Sequence, residues 1–349
     1  MTDSVTLEGL SAGALDPVTP GDVLTFVELP EVGGVDRDVW ASAVHHARRS
    51  RRILVGVGPT DTACPELLGA LSLTLHTEGP DDRHAVRVES LGPAVDRMVE
   101  SLHGSPLACF TCVEILRTSH ELDVRSALVV ESLGYSTLQA GPEYLRWLAN
   151  ASYPSKSDIG PFVKVERDRD TLVVELDREN CRNAIDARMR DALIEALDVA
   201  VLDEALTEVV ITGRGESFSS GGDLTEFGTT PDPSTAHLVR TQYRPGEQIH
   251  RLAERLGDRC KVHVHGAVVG GGLELAAFAG RVVADPSARF RLPEISMGLI
   301  PGAGGTVSVT RRIGRWRAAW MMLTGEVVDA TTALRWGLVD SIQTRLPAI

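Results

Sequence analysis

Hydrophobic positions along the chain fall into two rhythms that alternate, and their order predicts a layered α/β protein. The runs 171-TLVVEL-176 and 208-EVVITG-213 have the short, branched character of strands. Between them, 184-AIDARMRDALIEALDVAVLD-203 places Ile185, Met189, Leu193 and Leu197 at helical spacing. A further helix is expected over 246–257 and a strand over 261–266. The front of the chain opens in the same way: strand 23-VLTFVEL-29, helix 35-VDRDVWASAVHHARRS-50, strand 52-RILVGVG-58. A long helical stretch follows over 106–150. The polar segment 150-NASYPSKSDIGP-161 reads as a linker, which divides the chain into 1–155 and 156–349.

Composition narrows the function more than the fold. A chain of 349 residues has room for two domains, and 43% hydrophobic with 24% charged residues is ordinary for a soluble globular protein. The net charge of −13 argues against nucleic acid or an anionic membrane as the main partner. An anionic ligand would need a local group of cations, and the basic stretch with His237, Arg240, Arg244, His250, Arg251, Arg255 and Arg259 offers one, if it is more than a charged helix face. Five scattered cysteines do not suggest a disulfide framework. Cys109 and Cys112 have the CxxC spacing, but no second pair follows at zinc-finger spacing, so they read as buried structural thiols. The start of the chain lacks a basic-then-apolar leader, and the longest apolar stretch, 266–280, is too short to span a bilayer. A cytoplasmic protein without a membrane partner is the expectation.

Two glutamates stand out against apolar surroundings. Glu274 lies within 266-GAVVGGGLELAAFAG-280, and if this stretch is helical no basic side chain stands three or four residues away to pair with it. A carboxylate buried without a partner responds by a raised pKa, which suits acid/base chemistry near neutrality. Glu294 lies in 290-FRLPEISMGLIPGAGG-305. On the residues alone it reads first as a loop carboxylate bridged to Arg289 or Arg291. Around them run three glycine-rich loops, 219-SSGGDL-224, 270-GGGLEL-275 and 302-GAGGT-306. Backbone N–H groups of Gly222 and Gly271, unobstructed by side chains and close to helix starts, can bracket a carbonyl oxygen as it gains charge. The glycines alone would equally serve tight turns. A dinucleotide fold is not indicated, because no G-x-G-x-x-G follows a first strand. G-x-x-x-x-G-K-[ST] and G-x-S-x-G are also missing, against nucleotide hydrolysis and a serine hydrolase.

From about Phe162 to Ile349 the chain resembles the crotonase superfamily, the enoyl-CoA hydratases and isomerases. The resemblance rests on 182-RNAID-186, 218-FSSGGDL-224, 265-HGAVVGGGLELA-276, 290-FRLPEISMGLIPGAGGT-306, 312-RIG-314 and 323-LTGEVVDATTALRWGLVD-340, in the family's order and spacing. It implies a crotonase-like ββα superhelix for 156–349. It also implies oxyanion-hole N–H groups at Gly222 and Gly271, Glu274 as base toward water, and Glu294 as proton donor to the α-carbon. Arg182, Ala184, Ser220, Gly221, Asp223 and Leu224 match the loops that hold coenzyme A, with Arg182 either a phosphate partner or a solvated surface arginine. The implied substrate is a 2-enoyl thioester of coenzyme A or of acyl carrier protein, hydrated without metal or redox cofactor. Isomerisation, decarboxylation, cofactor-free oxygenation and a non-catalytic thioester-binding subunit are the alternatives. A homo-oligomer, trimer or hexamer, is also implied.

The chain departs from the family at 259-RCKVHVHG-266, where a proline and small residues are usual and His263 and His265 read as strand side chains rather than metal ligands, and in two further, linked ways. Residues 1–155 precede the similar region, either as a degenerate copy of the same fold or as an unrelated α/β domain. The family's last helices are not seen after 337-GLVDSI-342, whereas 123-DVRSALVVESLGYSTLQAGPEYLRWLAN-150 looks similar to them. The expectation is that these helices cover the acyl pocket of the same or a neighbouring subunit.

Overall fold

A computed structural model describes residues 3–15, 23–31, 33–79, 81–152 and 160–344. Most of the expected linker, 153–159, lies outside the described residues. The front of the chain alternates β1 (Asp3–Thr6), α1 (Leu7–Ser11), β2 (Leu24–Glu28), α2 (Arg37–Arg49), β3 (Ile53–Val57), α3 (Pro65–Ala70), β4 (Leu73–His76) and β5 (Val86–Arg87). Its five strands form one parallel sheet in chain order. Four helices follow: α4 (Leu91–Gly104), α5 (Pro106–Ser119), α6 (Val124–Gln139) and α7 (Pro142–Asn150). The helical stretch therefore begins earlier than its sequence suggests, with α4.

The second half runs β6 (Val163–Asp168), β7 (Thr171–Leu176), α8 (Ala187–Leu202), β8 (Glu208–Gly213), α9 (Pro233–Gln242), α10 (Pro245–Leu256), β9 (Cys260–Val264), β10 (Ala267–Val269) and α11 (Gly271–Ala276). It ends with β11 (Arg281–Ala284), β12 (Arg289–Arg291), α12 (Gly305–Thr324), β13 (Val328–Asp329), α13 (Ala330–Trp336) and β14 (Ser341–Ile342). A six-stranded sheet has the order β14-β11-β9-β8-β7-β6, parallel except for the β6–β7 pair. A small sheet has the order β10-β12-β13. The architecture is mixed α/β in both halves.

Strands β7 and β8 fall where their alternation put them, because every second residue enters the core. Leu172 faces Val209 and Val174 faces Ile211 across the pair. Helix α8 starts three residues later than the apolar spacing implied. Asp186 ends the preceding loop by accepting the Met189 N–H at 2.8 Å, an N-cap that fixes the first turn. The basic stretch 237–259 is not one helix. It breaks between α9 and α10 at Tyr243 and Arg244, as Pro245 requires, since proline disfavours helical backbone in the residue before it.

The two halves share a core. One continuous apolar cluster runs from Phe26 on β2 to Val339 after α13, and a smaller one around Leu7, Leu10, Leu54 and Leu67 lies under α1 to α3. Helix α12 is the centre of the shared cluster, with 16 of its 20 residues buried. A helix enclosed on all sides must be covered by several elements. Helices α4, α5 and α6 supply part of that cover, with Cys112 Sγ on α5 3.7 Å from Met322 Sδ on α12. Both cysteines of the CxxC pair are buried and free. No helix among the described residues is long and apolar enough to cross a membrane.

Candidate active site

Helix α11 and the turn leading into α12 bring the chemistry together. Gly270 precedes α11 with φ +48, a backbone conformation that side chains rarely adopt. Its glycine is required for a second reason: a Cβ there would lie 2.7 Å from Oε1 of Glu294. Glu274, one turn into α11, is 2% exposed. Its Oε2 accepts the backbone N–H groups of Ala303, at 2.7 Å, and Gly305, at 2.8 Å. The missing basic partner is thus replaced by the positive end of α12. Glu294 follows β12 and makes no ion pair among the described residues. Arg291 instead donates to Gly325 O, and Arg289 to Pro286 O and Ala288 O. The salt-bridge reading of Glu294 is therefore corrected: β12 turns both arginines to solvent, while Oε2 of Glu294 is buried without a hydrogen-bond partner.

A third carboxylate, which the sequence did not single out, comes from the first half of the chain. Glu131 on α6 is 2% exposed. It accepts the Gly304 N–H at 2.8 Å and the Thr306 N–H at 2.9 Å, with the Thr306 hydroxyl at 2.7 Å. Burial pushes its carboxyl up to about 7 against those three donors. Burial pushes Glu294 up to about 8, with the charge of Glu131 adding to it. Burial, then the charges of Glu294 and Glu131, hold Glu274 well above the usual carboxylate range, while the Gly305 and Ala303 N–H groups pull it back.

All three carboxylates line one cavity of about 230 Å³, together with Gly222 and Gly271. The two glycine backbones are close: a Cβ on Gly271 would stand 3.8 Å from the Gly222 nitrogen. Neither N–H has a protein acceptor among the described residues. The Gly222 loop is held from behind. Ile185 donates to Gly221 O at 2.8 Å and Asp223 donates back to Ile185 O at 2.9 Å. Arg178, 4% exposed, bonds Asp223 Oδ2 at 2.7 Å and Ala184 O at 2.8 Å. Asn183, fully buried, accepts the Arg178 N–H and donates to Arg214, Ser217 and Phe218 carbonyls. Neither Arg178 nor Asn183 was singled out, although 182-RNAID-186 marks the segment.

The remaining expected ligand residues do not line this cavity, although Ile185 and Gly222 beside them do. Arg182 is exposed with φ +53, and Ala184 and Leu224 are half-buried. Ser220 Oγ donates to Cys181 O at 3.3 Å, Gly221 is buried, and the Asp223 carboxylate is turned to Arg178. Of the basic group, Arg240 and Arg244 reach the cavity, but Arg240 is already engaged. It stacks over Tyr135, 4.3 Å from the ring centre, and bonds Gln139 Oε1 at 3.1 Å. It pins α6 to α9, and is not a free cation. His265 is buried with Nε2 2.9 Å from Gly215 O, and His263 is exposed on β9.

Leu128, Glu131, Ser132 and Tyr135 of α6 form one wall of the cavity, within the same chain. Tyr144 and Trp147 on α7 stack, and Trp147 meets the edge of Phe227, another lining residue. Of the segment 123–150, α6 lies over the carboxylates and α7 over the 224–228 loop, both within the same chain.

Residues 166–346, more than half of the chain, match the enoyl-CoA hydratase/isomerase family. The chain belongs to this family, the crotonase superfamily. Among its relatives is the 2,3-dehydroadipyl-CoA hydratase of Escherichia coli, 34% identical over 178 residues, which are 51% of this chain and 68% of that one. The trans-2-decenoyl-[acyl-carrier-protein] isomerase of Streptococcus mutans is 30% identical over 178 residues, covering 50% and 66%. An enoyl-CoA hydratase structure from Thermoplasma volcanium is similar at 31% identity, covering 53% and 73%, with a TM-score of 0.46. As a crotonase, the chain has the family's region behind a first half that supplies a wall of its cavity.

Proposed function

We propose that this crotonase adds water across the double bond of a 2-enoyl thioester, or runs the reverse dehydration. The observation that carries the reading is the unequal bonding of the two glutamates. Two N–H donors on Oε2 pull Glu274 toward its ionised form against the burial and neighbouring charges that raise it, whereas the partnerless Oε2 of Glu294 favours its protonated form. Glu274 then takes a proton from water as its oxygen bonds to the β-carbon. The double-bond electrons move onto the thioester oxygen, held by the Gly222 and Gly271 N–H groups. Glu294 gives its proton to the α-carbon as the enolate collapses. Each proton and electron pair is accounted for, with the alcohol as product.

The thioester is that of coenzyme A or acyl carrier protein, entering along Arg182, Ala184, Ser220, Gly221, Asp223 and Leu224. The protein is cytoplasmic and a homo-oligomer in this proposal, and residues 1–155 are a degenerate copy of the fold, in which the strands of both sheets are added in chain order.

A panel of enoyl, 3-hydroxyacyl and β-carboxyacyl thioesters on both carriers, read by mass spectrometry, tests the reaction. Gain or loss of one water is expected. Unchanged mass with a moved double bond would replace hydration by isomerisation, and loss of carbon dioxide would replace it by decarboxylation. Glu274→Gln and Glu294→Gln should each slow turnover by about 10²–10⁴. Turnover intact in both would show that the carboxylates do not have these roles.

A further inference from the structure

Helix α12 walls a second cavity, of about 410 Å³, where it meets the β4–β5 turn and the end of α5. Gly305, Ser308 and Arg312 of α12 contact Glu274 or the α11 backbone. Thr310 and Gly314, roughly half a turn away, face this other cavity, and Thr306 stands between the two with its hydroxyl on Glu131. The two cavities therefore lie on different sides of one helix.

The lining of the second cavity is one-sided in charge. It contains Arg83, Arg311 and Arg315, with His84 and His120, and no carboxylate among the described residues. His84 is held by Asp82 at 2.7 Å, and His120 lies 3.6 Å from Glu121, so the arginines set the sign. Arg315 is 8% exposed. Its guanidinium donates to Gly69 O and lies over Trp316, 4.5 Å from the ring centre, with no carboxylate partner among the described residues. Its neighbour Arg317 shows the contrast, being paired with Asp81. A buried cation without an anion is costly, and burial, then the charge of Arg117, draws Arg315 down to about 10.

Two more groups in the wall lack partners. Thr310 Oγ1, on a side chain whose residue is 4% exposed, and Trp316 Nε1 are both buried without a hydrogen bond. Arg83 crosses the kink of α12 at Gly314, which has φ +83, and a Cβ there would stand 2.6 Å from Arg83 Nε. The kink thus makes the room in which Arg83 reaches Arg311 O at 3.2 Å. Guanidinium forks and an indole N–H can only donate, and a hydroxyl can do so. Their natural complement is a group made of charged acceptors, and a phosphate suits arginine forks best.

We propose that this cavity binds a phosphate-bearing anion, at a site separate from that of the acyl thioester. The ligand is free phosphate or the phosphate of a small metabolite such as a nucleotide. In a chain of net charge −13 the attraction is local, so binding weakens with ionic strength.

Isothermal titration of the full chain with inorganic phosphate, and separately with ADP, at constant ionic strength tests this. Saturable binding to one site is expected, weakened about tenfold or more by Arg83→Ala and by Arg315→Met. Tighter binding of ADP that Arg83→Ala also weakens would identify a nucleotide in this cavity, and equal binding free phosphate. Glu274→Gln should bind phosphate like the wild type. Absence of saturable binding at millimolar phosphate would overturn the proposal, as would affinity unchanged in Arg83→Ala and Arg311→Ala, or lost in Glu274→Gln. Arg83 and Arg311 are exposed, so their variants decide the matter even if Arg315→Met does not fold.

Discussion

Glu131 and Glu274 divide four consecutive backbone N–H groups between them: Ala303 and Gly305 donate to Glu274, Gly304 and Thr306 to Glu131. The alternation follows from the turn into α12, where successive N–H groups point to opposite sides before the helical hydrogen bonds begin. One carboxylate comes from each half of the chain. The position of Glu274 is therefore set partly by a residue 143 positions upstream, and Glu131 acts on the site through the turn they share.

Glu131→Gln should lower the thermal midpoint, because an amide presents N–H to donors that need an acceptor, a loss of about 1–3 kcal/mol. It should also change the pH dependence. The wild-type carboxyls at 131 and 294 have folded pKa values of about 7 and about 8, above the ordinary value of 4.5. The folded state then holds more protons than the unfolded chain between about pH 4.5 and 8. Their contribution to stability is complete below pH 4.5 and is lost as pH rises through 7 to 8. Melting curves from pH 5 to 9 should fall across that window in the wild type and fall less in Glu131→Gln. Parallel slopes would remove Glu131 from the cluster.

Gly270→Ala should damage activity more than folding. The added methyl would press on Glu294 Oε1 and strain a backbone at φ +48. A rate loss of about tenfold or more, with circular dichroism unchanged, is the expected result.

Arg178→Met should destabilise by about 3–5 kcal/mol, since it leaves the Asp223 carboxylate without its buried partner. Chemical denaturation reads the loss. Because Arg178 also holds Ala184 O behind the Gly222 loop, turnover in the folded fraction should drop as well.

A fragment of 156–349 should fail to fold or stay insoluble. It would expose the α12 face that α4, α5 and α6 cover and remove a wall of the catalytic cavity. A soluble, active fragment would overturn that expectation.

What the sequence made legible was local. Glu274 lies in a short stretch whose apolar neighbours already declare its burial, whereas Glu294, read beside Arg289 and Arg291, did not declare its own, and β7 and β8 show their burial by simple alternation. Glu131 was hidden because 129-VVESLGY-135 looks like an ordinary amphipathic turn. Its partners, Gly304 and Thr306, lie more than 170 residues away. Arg240 misled for a related reason. Sequence shows its charge but not the Tyr135 ring and Gln139 amide that occupy it. The break at Tyr243 and Arg244 was legible in Pro245, and the helical pattern on either side masked it.

The burial of α12 between the two halves has a temporal consequence. Helices α4 to α6 leave the ribosome first, and α12, the surface they cover, is made about 166 residues after α6 ends. At ordinary synthesis rates that gap lasts roughly 10–30 s. During it the faces of these helices that α12 covers stay unpaired, so the nascent chain holds that apolar surface open until α12 emerges.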